Sequence, residues 1–183
     1  MKKIIFFDGD GTLWYPKKTK YKEHPVWLYI DPVTKKTITK SADKKVVKHQ
    51  MLIPTVLPTL RKLKKLNIIL VVLSTNPYPP KEADASIKGR VKHFQLGDLF
   101  DEVHATRDYH GSKGEFMLKI LLERGIPKNK ALMVGDTYLW DIKSALNVGI
   151  EGILIETKYN EKHPATKRIK RKIRKMSEIL NYV

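Results

Sequence analysis

Short apolar runs and helical stripes alternate along this chain. Lys3-Ile4-Ile5-Phe6-Phe7 is apolar on consecutive positions and ends in Gly-containing polar sequence, the pattern of a strand buried on both faces. Ile68 to Leu73 has the same character, Ala131 to Val134 and Gly152 to Ile155 are shorter versions, and a further strand is expected near Glu102 to Ala105. The intervals read as helices. Leu57, Leu60, Leu63 and Leu66 recur at threes, with Thr55 placed to cap and Pro58 in the first turn, where a missing N–H costs little. A helix is expected at about 80 to 95, Phe116, Ile120 and Leu121 mark another, and Leu139, Ile142, Ala145 and Leu146 mark one more. Strands alternating with helices imply βαβ crossovers, hence an α/β fold with a mostly parallel sheet. In such sheets ligands gather at the carboxyl ends of the strands.

Two segments stand outside this alternation. Val26-Trp27-Leu28-Tyr29-Ile30, Asp31-Pro32-Val33-Thr34 and Lys35 to Lys40 read as a hairpin with a Pro-containing turn, projecting over the carboxyl end of the first strand. At the other end Ile169, Ile173, Met176, Leu180 and Val183 fit one helical face. Lys172 to Met176 as a short edge strand, with Ser177 capping a final helix, fits equally. No internal repeat or low-complexity linker is visible. The expected organisation is one domain over 1–183, with a flap or hairpin insert at 14–52 and a basic C-terminal segment at 158–183.

A length of 183 residues suffices for a core without disulfide staples, and none can form, because the chain has no Cys. That also excludes a zinc ribbon and a thiol nucleophile. The longest unbroken apolar run is six residues, far short of the ~20 a membrane span needs. Met1-Lys2-Lys3 followed by Ile4 to Phe7 is too short for a signal peptide and ends in Asp8 and Asp10, so a soluble cytoplasmic protein with no membrane partner is expected. The net charge of +17 is concentrated: residues 17 to 48 hold ten Lys against Glu23, Asp31 and Asp43, and residues 162 to 175 hold eight Lys and Arg and no acid. Such a field attracts polyanions or phosphorylated ligands. A heat-adapted, Lys-rich composition with two Gln and no Cys accounts for it equally well.

The chemistry sits where the apolar runs stop. Asp8 and Asp10, in Phe6-Phe7-Asp8-Gly9-Asp10-Gly11-Thr12-Leu13-Trp14, are costly at the end of a buried strand unless a cation or a reaction uses them. The plain alternative is an Asp-Gly turn with two solvated acids. Four further features tell against it. Ser74 and Thr75 put hydroxyls at the end of the second strand. Ser112-Lys113-Gly114-Glu115 looks like a capping box. Its Lys113, at the first helical position, opposes the helix dipole unless an anion lies beside it. Asp136, after Gly135, and Asp141 add two carboxylates where the switch-point crevice should lie.

Taken in order, Asp8-x-Asp10, Ser74/Thr75, Lys113 and Asp136-x4-Asp141 resemble the haloacid dehalogenase-like superfamily over about residues 3 to 157. Leu13-Trp14 and Gly111-Ser112-Lys113 resemble its magnesium-dependent phosphatase subgroup. Gly9, Thr75 after the serine, and Gly135-Asp136 in place of paired Asp depart from that pattern. The resemblance implies a Rossmann-like three-layer sandwich, capless or with a small β-hairpin flap. It implies Asp8 as the nucleophile that becomes an aspartyl phosphate and Asp10 as the acid and then base. It further implies Mg²⁺ held by Asp8, the Asp10 carbonyl and Asp136, with Ser74 or Thr75 and Lys113 on the phosphoryl oxygens. Ser74 is preferred because it directly ends the apolar run. Asp141 is expected to orient Asp136 or a metal-bound water.

His104, His110, Tyr138 and Trp140 read more readily as packing than as site residues, and Trp14 as a wall of the pocket. The expected function is a Mg²⁺-dependent phosphomonoesterase acting on a sugar phosphate or phosphoprotein. A nucleic-acid end phosphatase using the basic flap and tail is the alternative, and a catalytically silent basic binding module is the reading of another class. Oligomeric state is not legible.

Overall fold

The computed structural model describes residues 1–17, 29–30, 37–38, 47, 50–76, 79–106, 111–157, 160–161 and 164–183. Six strands form one sheet: β1 (Ile4–Phe7), β6 (Ile69–Thr75), β7 (Glu102–Thr106), β8 (Ala131–Gly135), β9 (Glu151–Ile155) and β10 (Lys172–Ile173), in the order β10-β9-β8-β1-β6-β7. Every pairing in it is parallel. The chain therefore builds outward from β1 through β6 to β7, then crosses back to β8 and continues to β10. This reversal leaves the crevice beside β1, at the carboxyl ends of β1 and β8.

Consecutive apolar residues serve both sides of the sheet because side chains alternate along a strand. Ile5, Phe7, Leu70, Val72, Leu132 and Val134 pack on one face with Leu60 and Leu63 of α1 (Val56–Lys65), Ile87 and Val91 of α2 (Pro80–His93), and Met176 and Ile179. Ile4, Phe6, Val71, Leu73 and Met133 pack on the other with Met117, Ile120 and Leu121 of α3 (Ser112–Glu123) and Ala145 of α4 (Lys143–Asn147). This is the expected three-layer α/β sandwich. The four residues of β1 are wholly buried. Each contributes roughly 1.5–3 kcal/mol by leaving water, so truncating Phe7 alone would cost about 3–5 kcal/mol.

Local expectations fare unevenly. Thr55 does sit at the cap position of α1, but its φ is 70° and its side chain makes no cap bond; its Oγ1 instead accepts from the Ser177 amide at 3.3 Å. The capping box at Ser112 is displaced by one residue. Gly111, at φ 100°, occupies the cap position, Ser112 is the first helical residue, and no side chain caps. The stripe Leu139, Ile142, Ala145 and Leu146 is not one helical face, because a π-helical turn (Tyr138–Ile142) precedes α4 and rotates the register, leaving Leu139 and Leu146 exposed. At the C-terminus the strand-then-helix alternative is realised in short form, as β10, whose two residues pair with Leu154 and Ile155 of β9, and a 3-10 helix from Met176 to Tyr182.

The excursion after β1 leaves on β2 (Trp14–Pro16) and returns on β5 (Gln50–Leu52), which pair antiparallel with Trp14 opposite Leu52. Within it β3 (Tyr29–Ile30) pairs antiparallel with β4 (Thr37–Ile38), as a hairpin requires. The other residues of the expected hairpin, 26–28, 31–36 and 39–40, and most of the basic run at 17–48 lie outside the described residues. α5 (Pro164–Arg168) lies between β9 and β10. Among the described residues no helix is long and apolar enough to cross a membrane.

Candidate active site

Asp8 begins where β1 ends. Its amide donates to the Val134 carbonyl at 2.9 Å, continuing the β1–β8 ladder one residue past the strand and locking the carboxyl into the crevice. Oδ1 of Asp8 accepts from Lys113 Nζ at 2.5 Å and from Ser74 Oγ at 3.2 Å. Lys113 Nζ also donates to Oδ1 of Asp141. Three elements thus converge on one buried point: β1, the end of β6 and the first turn of α3.

Strand alternation separates the two hydroxyls of β6. Ser74 meets Asp8, whereas Thr75 Oγ1 lies 3.1 Å from Oγ1 of Thr106, its partner across β7. Asp141 is drawn inward by the π-helical turn. Its Oδ2 accepts from the amide of Thr137 at 2.9 Å and the hydroxyl at 2.7 Å, which leaves Oδ1 for Lys113. Gly135 makes the fit possible, since a Cβ there would lie 2.3 Å from Asp141 Cγ. Asp141 therefore acts on Lys113, a partnership the sequence did not suggest. The backbone carbonyl of Asp136 is tied down by the buried carboxamide of Asn160, which donates to it at 2.8 Å and to the Ile155 carbonyl at 2.9 Å.

Burial pushes the Asp8 carboxyl up to about 7, even though Lys113 beside it pulls the other way, and Asp141 adds to the rise. Burial also works against the charge on Lys113, but Asp141 and then Asp8 override it and hold the ammonium above the usual lysine range. Three buried carboxyl groups thus share one ammonium, an excess of acids over bases. Asp8, Asp136 and Asp141 are all buried and offer carboxylate oxygens within 4.8 Å of one another. A hard divalent cation fits that donor set and that excess of acids.

Asp10 lies on the rim rather than in the cluster, with its side chain 19% exposed. Its Oδ1 accepts from Trp14 Nε1 at 2.5 Å and from Gln50 Nε2 at 3.4 Å, and Arg90 Nε stands 3.8 Å away. Gln50 and Arg90 were not foreseen. A readable signal existed for Arg90, which interrupts an apolar helical stripe of Ala83, Ile87 and Val91 and is itself buried. His104 is half-buried, bonded to Glu102 at 2.6 Å and set against the ring of Phe116. Trp14 is fully buried and stacks on Phe94 at 6.0 Å. His110 lies outside the described residues.

A family model for haloacid dehalogenase-like hydrolases matches residues 7–155. With the parallel sheet and the carboxylates at its carboxyl edge, this defines the class: the chain belongs to the haloacid dehalogenase-like hydrolase family. Solved structures of similar fold include an uncharacterized protein from Listeria monocytogenes serotype 4b, 20% identical, with 98% of this chain and 96% of that one covered and a TM-score of 0.67. A haloacid dehalogenase-like family hydrolase from Streptococcus pneumoniae is 16% identical, with 99% and 98% covered and a TM-score of 0.69. A HAD phosphatase from Thermococcus onnurineus is 17% identical, with 100% and 97% covered and a TM-score of 0.69. At these identities the likeness establishes the fold. No curated protein matches the sequence.

Proposed function

We propose that this chain is a Mg²⁺-dependent phosphomonoesterase that works through an aspartyl phosphate on Asp8. The observation that carries the reading is the shared oxygen: Lys113 and Ser74 both donate to Oδ1 of Asp8, inside a buried group of three carboxylates. That arrangement holds a nucleophilic carboxylate in one rotamer, with donors beside it for the oxygens of an incoming phosphoryl group.

Asp8, Asp136 and the Asp10 carbonyl are the residues that would hold Mg²⁺, which when bound supplies the positive charge that lets a carboxylate approach a phosphate dianion. Asp8 attacks phosphorus, the ester P–O bond breaks, and Asp10 gives its proton to the departing oxygen. Asp10 then takes a proton from the water that attacks the phosphorus of the acyl phosphate, releasing inorganic phosphate and the Asp8 carboxylate. Lys113 and Ser74 stay with the phosphoryl oxygens throughout, and Asp141 holds Lys113 in place. Thr75 is left to β7. The substrate class this reading favours is a sugar phosphate or a phosphoprotein, in keeping with the magnesium-dependent phosphatase resemblance and an excursion too short for a large cap. The tail gives a nucleic-acid substrate little support, because Arg171, Lys172 and Arg174 are engaged by Glu151 and Glu156.

The test is hydrolysis of 4-nitrophenyl phosphate by the wild-type protein and Asp8→Asn, each with Mg²⁺ and with EDTA. Turnover should require Mg²⁺ and fall by more than about a thousandfold in the variant, since an amide cannot act as the nucleophile. Substantial activity in Asp8→Asn would remove Asp8 from that role.

A further inference from the structure

The rim of the site contains a device that the family match does not assign. The loop after β1 is tight: the amides of Leu13 and Trp14 both donate to the Gly9 carbonyl, at 2.8 and 3.2 Å, and the Gly11 amide donates to the Trp14 carbonyl at 2.9 Å. This fold brings the Trp14 indole back over Gly9. A Cβ at residue 9 would lie 2.5 Å from Trp14 Cζ2, so only glycine lets the ring cross there. The unusual Gly9 and the Trp at 14 are therefore one feature. The indole edge ends on Oδ1 of Asp10 at 2.5 Å. Indole N–H is a donor only, so it marks Oδ1 as the accepting oxygen of that carboxyl.

Two other elements address the same oxygen. Gln50 Nε2 reaches it from β5, the strand on which the excursion returns to the body of the fold. Arg90 approaches from α2, where Ser86 and Arg90 lie four apart on one side of the helix and Phe94, the residue that ends it, follows four further on. Phe94 supports the Trp14 ring, and Ser86 holds the Arg90 guanidinium. The indole is thus set between Gly9 and Phe94 and can present its N–H in one place.

We propose that Trp14, with Gln50 and Arg90, forms a clamp on Oδ1 of Asp10 that fixes the rotamer in which the other oxygen, Oδ2, carries the proton to the leaving group. Trp14 is a positioning residue in this account. The clamp rests on the phosphomonoesterase reading given above. It ties the acid to the stem of the excursion, because Gln50 is contributed by β5.

In kcat/KM, which reports only the steps up to departure of the leaving group and not the later hydrolysis of the acyl phosphate, a defect in leaving-group protonation slows esters with poor leaving groups and spares those whose leaving group departs as a stable anion; a defect in folding or in the nucleophile slows both. Trp14→Phe, Gln50→Leu and the reference Asp10→Asn are therefore compared on n-butyl phosphate and 4-nitrophenyl phosphate with Mg²⁺. Trp14→Phe should lose about tenfold or more in kcat/KM on the alkyl ester and less than about twofold on the aryl ester. Gln50→Leu should show the same selectivity with a smaller loss, and it decides the matter should Trp14→Phe not fold. Equal losses on both esters, or none, would overturn the clamp. If Asp10→Asn is selective while the clamp variants are not, the clamp alone fails. If Asp10→Asn loses equally on both esters, the assignment of the acid fails and the clamp with it. A second readout needs neither substrate nor metal: the indole Nε1–H resonance of Trp14, assigned by its absence from Trp14→Phe, should move upfield in Asp10→Asn. A resonance unchanged by that substitution would contradict the bond.

Discussion

Two clusters of acids and bases in this molecule differ in exposure and in which sign of charge is in excess. At the crevice, Lys113 is enclosed with Asp8 and Asp141, and its side chain is 2% exposed. At the β9–β10 edge, Glu156 receives Lys172 at 2.8 Å and Arg174 at 3.0 Å, and Glu151 receives Lys2 at 2.9 Å and also pairs with Arg171. The Arg174 and Arg171 side chains are 79% and 54% exposed, although Glu156 itself is only 10% exposed. The edge cluster is rich in bases and can share its charge with water. The crevice is rich in carboxylates and cannot. Burying like charges costs free energy that a fold has no structural reason to accept, so the excess at the crevice points to chemistry. The edge pairs instead fasten a strand of two residues, β10, to β9. They also take up part of the tail's positive charge, which weakens the case for that charge as a polyanion site.

Removing the central base from each cluster should separate them most widely. Lys113→Met leaves Asp8 and Asp141 facing each other without their cation. It should lower unfolding stability by about 3–5 kcal/mol in urea titrations without added metal. Lys172→Met at the edge should lower it by less than about 1 kcal/mol. Similar losses would mean that burial does not distinguish the two clusters. The next effect belongs to Gly135→Ala, whose Cβ would collide with the Asp141 carboxyl. It should destabilise by about 1–3 kcal/mol, read as a lowered urea midpoint, because the π-helical turn would have to shift.

The carboxylates of the crevice differ among themselves in a way Mg²⁺ should reveal. A ligand that binds only the folded state raises its melting temperature. Asp136→Ala should abolish most of the rise in Tm that Mg²⁺ produces in the wild-type protein. Asp141→Ala should keep more of it, since Asp141 is already engaged by Lys113 and Thr137. The reverse order would make Asp141 the ligand.

The smallest effect is a pH dependence at the edge. The hydrogen bond from Lys172 holds the Glu156 carboxyl below its ordinary range against a modest opposing effect of burial, with Arg174 assisting. A carboxyl lowered on folding adds stability above its unfolded pKa and loses it as pH falls through the folded value. The stability difference between wild-type and Glu156→Gln should therefore be flat near neutrality and shrink below the usual glutamate range. A difference that grows on acidification would reverse that sign.

Much of this was legible in the residues alone. Runs such as Ile4 to Phe7 and Ile68 to Leu73 announce strands because burial on both faces demands consecutive apolar side chains, and the parallel sheet follows from their alternation with helices. Asp8, Ser74, Lys113, Asp136 and Asp141 stood out as polar groups where apolar runs stop or helices start, and the structure gathers them at one edge of the sheet. What was not legible is who partners whom. Gln50 meets Asp10 from forty residues away, and Asp141 turns to Lys113 through an extra residue in a helical turn; neither is encoded in a local period. The cap at Ser112 was misplaced because Gly111 can adopt the left-handed backbone that starts the helix one residue earlier, leaving Ser112 inside it.

The central claim is that Asp8 carries the phosphoryl group. Acid quenching during turnover of 4-nitrophenyl phosphate with Mg²⁺, followed by mass spectrometry of the protein, tests it directly. The account predicts a phosphoryl adduct on Asp8 that hydroxylamine removes, as it does an acyl phosphate, and no adduct in Asp8→Asn. An adduct on another residue, or one that persists in Asp8→Asn, would contradict it.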